Sequence, residues 1–304
     1  MLRRTLLASA GAMALTGTAL AADLPSRAPP PVYLPPPPVF TWTGLYVGLN
    51  AGGTWSSSNT VDVDTVDAFG NPGLGGGPAA GVASAALATA NVPVSTSGFI
   101  GGGQIGYNLQ FANNFVAGIE ADIQGIAASS GAKTVFSQAA IAGFPGNPIG
   151  QNLSSSRRQD YLGTVRGRLG FTITPTLLVY GTGGLAYGQT ASRTSITQQV
   201  ENAPALPNQY SSFGSISNSR VGWTAGGGLE WLFAPNWSAK VEYLYYDLGS
   251  VTYGLSPLEN FNIAGTPFTA GAPSARTSFR GNIVRAGINY HFNLWGPPPI
   301  VAKY

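Results

Sequence analysis

From residue 44 onward, apolar side chains fall on every second position in eight separate stretches, and no run of about 18 consecutive apolar residues occurs past the first 21 residues. Alternation with a period of two gives a strand two faces of different chemistry. The stretches are residues 44–55, 96–111, 115–126, 158–171, 177–188, 220–233, 237–247 and 279–292. In the first, Leu45, Val47, Leu49 and Ala51 oppose Tyr46, Gly48, Asn50 and Gly52; in the last, Val284, Ala286, Ile288, Tyr290 and Phe292 oppose Arg285, Gly287 and Asn289. The stretch 177–188 is rich in glycine, and its residues assign no faces.

Composition says which solvents meet those faces. Only 9% of the residues are charged, beside 42 glycines and 13 tyrosines, where soluble domains carry roughly 25% charge. One face therefore meets a medium less polar than water. A membrane protein without spanning helices has to satisfy its backbone in a closed barrel.

The connections set the topology. Short ones, at 112–114, 172–176 and 234–236, contain the Asn or Pro that tight turns need. Long ones occupy 56–95, 127–157, 189–219 and 248–278, rich in Gly, Ser, Asn and Pro, with little reason to pack. Strict alternation of short and long predicts an all-β fold: an eight-stranded antiparallel up-and-down transmembrane β-barrel with short periplasmic turns and long extracellular loops. Aromatic residues at the short-turn ends, Trp42, Phe111, Phe115, Phe171, Phe233, Trp237 and Phe292, are expected to form an interfacial girdle; Trp55, Tyr161, Tyr187 and Tyr245 are candidates for a second.

The flanks read differently. Arg3 and Arg4, an apolar stretch and Ala19-Leu20-Ala21 make residues 1–21 a secretory signal peptide with cleavage expected after Ala21. Residues 22–41 form a proline-rich periplasmic linker inclined to polyproline II, residues 42–292 the barrel, and residues 293–304 a periplasmic tail. Without Arg3 and Arg4, 13 basic residues face 12 acidic ones, so no nucleic-acid footprint remains. The absence of cysteine removes disulfides, thiolate metal sites and thiol nucleophiles.

The segment Trp42-Thr43-Gly44-Leu45-Tyr46-Val47-Gly48, the segment Gly183-Gly184-Leu185-Ala186-Tyr187-Gly188 and the aromatic-ended last strand resemble the small outer-membrane β-barrel proteins of Gram-negative bacteria, the OmpA-like or porin-family barrels. The resemblance covers roughly residues 41–292. It implies a surface barrel in the outer membrane, surrounded by lipid and lipopolysaccharide and inserted by the assembly machinery, which in this family reads the last strand and its terminal aromatic residue. Because the chain continues past Phe292, both Phe292 and Tyr304 are candidates for that residue.

The polar faces carry Glu120, Asp122, Asp160, Glu230 and Glu242 together with Arg166, Arg168, Lys240 and Arg285. An eight-strand barrel is just wide enough for side chains to fill it, and enclosed charges have to pair. A lumenal salt-bridge network is therefore expected, either as a static plug that fixes register or as a gated, narrow ion path. The role expected is structural and surface-exposed, with four mobile loops for external partners. Alternatives are a small porin passing ions or solutes and a lipid-modifying enzyme.

Other motifs point to less. Gly101-Gly102-Gly103-Gln104-Ile105-Gly106 has the spacing of a dinucleotide loop but lies inside an alternating strand, where glycine more simply permits close backbone approach. His291, the single histidine, sits at the periplasmic end, whereas a lipid hydrolase or acyltransferase needs His, Ser and an acid near the outer rim. Asp62, Asp64 and Asp67 lack the twelve-residue calcium pattern, leaving a solvated acidic stretch or weak divalent contact with lipopolysaccharide. No cofactor and no metal site are expected, and the oligomeric state is left open.

Overall fold

The structure is a computed structural model that describes residues 41–68, 79–202, 209–260 and 268–292. The expected signal peptide, all but the last residue of the linker, and the tail from residue 293 lie outside the described residues. The elements are β1 (Gly44–Ser56), β2 (Thr60–Asp67), α1 (Ala79–Ala88), β3 (Ala90–Pro93), β4 (Ser97–Phe111), β5 (Phe115–Ser129), β6 (Lys133–Ile141), β7 (Phe144–Thr174), β8 (Leu177–Val200), β9 (Gln209–Ala234), β10 (Trp237–Gly254), β11 (Leu258–Asn260) and β12 (Phe268–Phe292).

The fold is all-β around an antiparallel ring. Hydrogen bonding runs β1-β4-β5-β7-β8-β9-β10-β12, and β12 returns to β1 from Leu45↔Phe292 to Ser56↔Gly281. Closure leaves the ring no free edge. At the short-turn end Ala112 and Asn113 take φ values of 46° and 65°, the left-handed geometry that closes Phe111↔Phe115 as a tight hairpin. In the wall, a Cβ at Gly102 would stand 2.0 Å from the carbonyl oxygen of Ile123. The glycine run is thus explained by the approach of β5, and with strands on both sides and no helix following it, it cradles no phosphate.

The half of the ring next to the short turns is apolar outside and polar inside. Leu49 is 73% exposed on the outer face, beside Ile119, Leu185, Leu229 and Ile288. β8 joins this pattern, with Leu178, Tyr180 and Ala186 turned inward and Val179 and Leu185 outward. The other half inverts the chemistry. On β7, Ile149, Gln151, Leu153 and Ser155 are buried while Asn152 is exposed; on β8, Ile196 and Val200 are buried while Thr197 and Gln199 are exposed.

This inversion corrects the expectation of four long unpacked loops. β7, β8, β9, β10 and β12 continue as strands well past the apolar band, to 31 residues in β7. β6 pairs with β7, β2 takes over from β1 beside β12, and β3 pairs with β2. Ser, Thr and Gln in these segments are not loop filler. Asn152, Thr197 and Gln199 lie on the exposed side of strands whose opposite side buries Val61, Val63, Ile149, Leu153, Ile196, Val200, Tyr210 and Leu258 in a core of their own, with Gln151, Ser155, Thr194 and Gln198 buried beside it. α1, made mostly of small residues, packs with this core through Ala80, Ala83 and Ala88, and the Ser84 hydroxyl bonds to Gln198. The Gln151 amide donates to the Leu87 carbonyl at 2.8 Å, tying the end of α1 to β7.

Where the two halves meet, β7 carries an extra residue: its pairing with β8 jumps from Gln159↔Thr190 to Tyr161↔Gln189, leaving Asp160 unpaired. One inserted residue exchanges the faces of everything beyond it. Inward positions on β7 are therefore even from Leu162 to Arg168 and odd from Arg157 back to Ile149.

Candidate functional site

Four inward-facing layers fill the ring. At the short-turn end an apolar floor of Trp42, Val116, Leu178, Tyr180 and Leu232 closes it. Above the charged layer an apolar neck contains Ile100, Leu162, Leu244, Leu248, Phe279 and Ile283. The core containing α1 follows. The charged layer between floor and neck is the candidate site.

Its side chains arrive by parity and register. β5 turns Glu120 and Asp122 inward, β7 Arg166 and Arg168, β9 Glu230, β10 Lys240 and Glu242, and β12 Arg285. Cross-strand register sets Glu120 opposite Arg166, Glu242 opposite Arg285, and Lys240 opposite Glu230. Bonds then cross the lumen. Arg166 holds Glu120, Asp122 at 2.9 Å and Glu242 at 3.0 Å. Arg285 meets Asp122 at 2.9 Å and Glu242 at 2.5 Å. Lys240 donates to both oxygens of Glu120 at 3.0 Å rather than to its facing partner Glu230. Arg168 meets Glu230 at 2.5 Å and lies 4.0 Å over the ring of Tyr180.

Neutral groups complete the layer. The Tyr46 hydroxyl donates to Glu120 at 2.7 Å and accepts from Arg168 at 3.0 Å; Tyr180 donates to Glu242 at 3.1 Å; Thr164 and Gln124 each donate to Asp122 at 2.8 Å. Tyr46 was visible on the polar face of its strand. Tyr180 was hidden, because its strand offered no contrast between faces. Glycine lets the strands that carry these groups approach closely, as where Gly184 pairs with Arg166: a Cβ there would meet the Val165 carbonyl oxygen at 2.2 Å.

The structure corrects one member of the set. Asp160 sits at the bulge, half exposed, and pairs with Arg158 at 2.9 Å on the outer side. Without it, four carboxylates face four cations, and the buried layer is charge-neutral. The eight side chains are all 0–3% exposed.

Trp42 is also displaced from its expected place. It is wholly buried in the floor, where its indole nitrogen donates to the Pro175 carbonyl at 3.1 Å and its ring stands edge-on to His291 at 6.0 Å. Its even position puts it on the same inward face as Tyr46 and Asn50, with the intervening Gly44 at a φ of 144° that suits glycine. Phe111, Phe115, Phe171, Phe233 and Trp237 stand exposed at the short-turn rim, with Phe292 partly exposed. Phe115 touches Phe111 and Phe171, and Tyr290 joins Trp237 to Phe292. At the other edge of the apolar band Trp223 joins Tyr245, with Trp55 exposed nearby in sequence register.

His291 faces inward, beneath the charged layer. Its Nε2 is 2.9 Å from the Ser238 hydroxyl and 3.6 Å from Glu230, while Ser238 donates to Glu230 at 2.6 Å. A serine, a histidine and an acid are together, but not as a nucleophile needs them. The acid meets the same ring nitrogen as the serine, instead of orienting the ring from Nδ1, and itself accepts the serine hydroxyl's hydrogen bond. Asp62, Asp64 and Asp67 lie along β2, with Asp62 opposite Arg276 in register. Among the described residues no group of three or more His, Asp or Glu is placed to hold a metal.

A ring of strands, lipid-like outside and ionic inside, has counterparts among known proteins. The family model for the outer membrane protein beta-barrel domain matches residues 9–292. The chain belongs to the outer-membrane β-barrel family. The 31 kDa outer-membrane immunogenic protein of Brucella melitensis is 32% identical over 96% of this chain and 100% of its own length. The 25 kDa outer-membrane immunogenic protein of Brucella abortus is 24% identical over 96% and 99%. A 22 kDa outer membrane protein of Rhizobium leguminosarum is 28% identical over 53% of this chain and 57% of its own. Membership places the protein in the outer membrane, and the exposed apolar band of the ring is the surface such a protein turns to lipid.

Proposed function

We propose that this barrel crosses the membrane with eight strands, β1, β4, β5, β7, β8, β9, β10 and β12, short turns in the periplasm and the strand-built cap outside, and that it serves a structural, surface-exposed role with a sealed lumen. The observation that carries the reading is the neutral layer of eight buried charges, in which each cation reaches two or more acceptors. Floor and neck seal the same lumen with apolar side chains, and the core around α1 adds a further barrier. The relatives named for their immunogenicity support an exposed outer face. Lipid and lipopolysaccharide surround the band, and the assembly machinery is the partner during insertion, with Phe292 the aromatic end of β12. The blocked geometry at Ser238 and His291 supports a non-enzymatic role.

Planar-bilayer recording tests the seal. Purified protein is expected to insert without defined conductance steps, and Arg166→Ala to introduce salt-dependent leak. Regular, uniform steps from the unaltered chain would establish the small-porin reading instead.

A further inference from the structure

The neck holds a small cavity that the ionic layer does not use. It measures about 20 Å³, and its lining includes Thr54, Arg157, Gln159, Tyr246, Phe279 and Arg280. That is space enough for a particle of water to halide size.

Its lining residues carry three donors without partners. Arg157 Nε, Gln159 Nε2 and Arg280 Nε are buried and make no hydrogen bond. For Gln159 the carbonyl end is committed, accepting from the Tyr246 hydroxyl at 3.0 Å, so the amide end is the one left over. Arg157 is 4% exposed, and its terminal nitrogens meet only backbone carbonyls, those of Ser58, Val94 and Ser278. It has no carboxylate partner among the described residues, and its remaining neighbour is the face of Phe279 at 5.0 Å. Arg280, its side chain 42% exposed and only its Nε enclosed, reaches its carboxylate, Asp247, at 4.0 Å.

Surplus donors and an uncompensated buried cation both call for a negative charge. We propose that the neck cavity is a binding site for one halide-sized anion, chloride being the probe of choice, which completes the coordination of Arg157, Gln159 and Arg280. The site joins β1, β7 and β12 where the bulge of β7 turns Arg157 and Gln159 inward. Its occupant therefore stabilises the junction between the ring and the cap.

The full chain, folded in detergent, is compared in potassium chloride, bromide and gluconate at one ionic strength. The thermal midpoint is expected several degrees higher in either halide than in gluconate, whose anion is too large for the cavity. Gln159→Met and Arg280→Met are each expected to abolish that increment, with circular dichroism unchanged. Both leave the carbonyl contacts of Arg157 intact. Crystals grown in bromide are expected to show an anomalous peak in the cavity. Equal midpoints in all three salts, or an increment that survives both substitutions, would overturn the proposal. Should the variants fail to fold, the native crystal decides alone, and a water without anomalous signal at that position sinks it.

Discussion

Arg166 shows how differently two charges on one strand behave. It contacts Glu120, Asp122 and Glu242 with no exposed side-chain area, whereas Arg158, eight residues away, meets Asp160 half in solvent. Removing one partner of a dry, buried pair strands the other, at a cost of about 3–5 kcal/mol; an exposed pair contributes about 0–1 kcal/mol. Arg166→Ala is expected to lower folding stability by the first amount in urea titrations from detergent, and Asp160→Asn by no more than the second. Equal losses would show that the lumen is wet. The charged residues themselves were legible in the sequence, down to the strands bearing them. Their partners were not, because Lys240 passes over its cross-strand neighbour Glu230 to reach Glu120, a choice made by lumenal packing.

At the level of elements, the decisive features are the bulge at Asp160 and the helix α1. Alternation read outward from the membrane band identifies each strand but stops where the chemistry inverts, so Ile149, Leu153, Ile196 and Val200 were assigned to loops. The same period of two continues there; only the outer face has changed, from apolar to largely polar. α1 escaped notice for another reason. Ala and Gly in its sequence carry little amphipathic contrast, and small residues are what the enclosed core has room for. Ala88 is wholly buried and lies in that core. Ala88→Asp, which buries an unpaired carboxylate, is expected to expose the segment around α1 to protease on intact cells, with the ring still folded by its heat-shifted migration on gels. Continued protease resistance would mean that the helix does not depend on the core beneath it.

For the whole molecule, the outer face is the argument for lipid. Leu49 at 73% exposure, with Ile119, Leu169, Leu185, Val241 and Ile288 around the ring, would form a patch far beyond what soluble monomers expose. Phe213, equally exposed at 73%, stands instead on the water-facing half of β9. Leu49→Arg is expected to cost roughly 2–4 kcal/mol in refolding into lipid vesicles, while Phe213→Arg leaves that stability unchanged. Matching penalties would place the bilayer boundary elsewhere. The two halves of one continuous set of strands are thus stabilised by opposite burial patterns, and the ionic layer, neck and cap follow one another along a single lumen.

Side-chain alternation, a local property written residue by residue, marks the eight ring strands in the sequence, the two faces of all but 177–188, and the short turns at 112–114, 172–176 and 234–236. Only the tertiary structure decided which charges pair, that Trp42 closes the floor rather than joining the girdle, that Asp160 leaves the lumen, and that the long connections pack. Each of these depends on register and closure between strands distant in sequence, and a single extra residue on β7 is enough to exchange its faces.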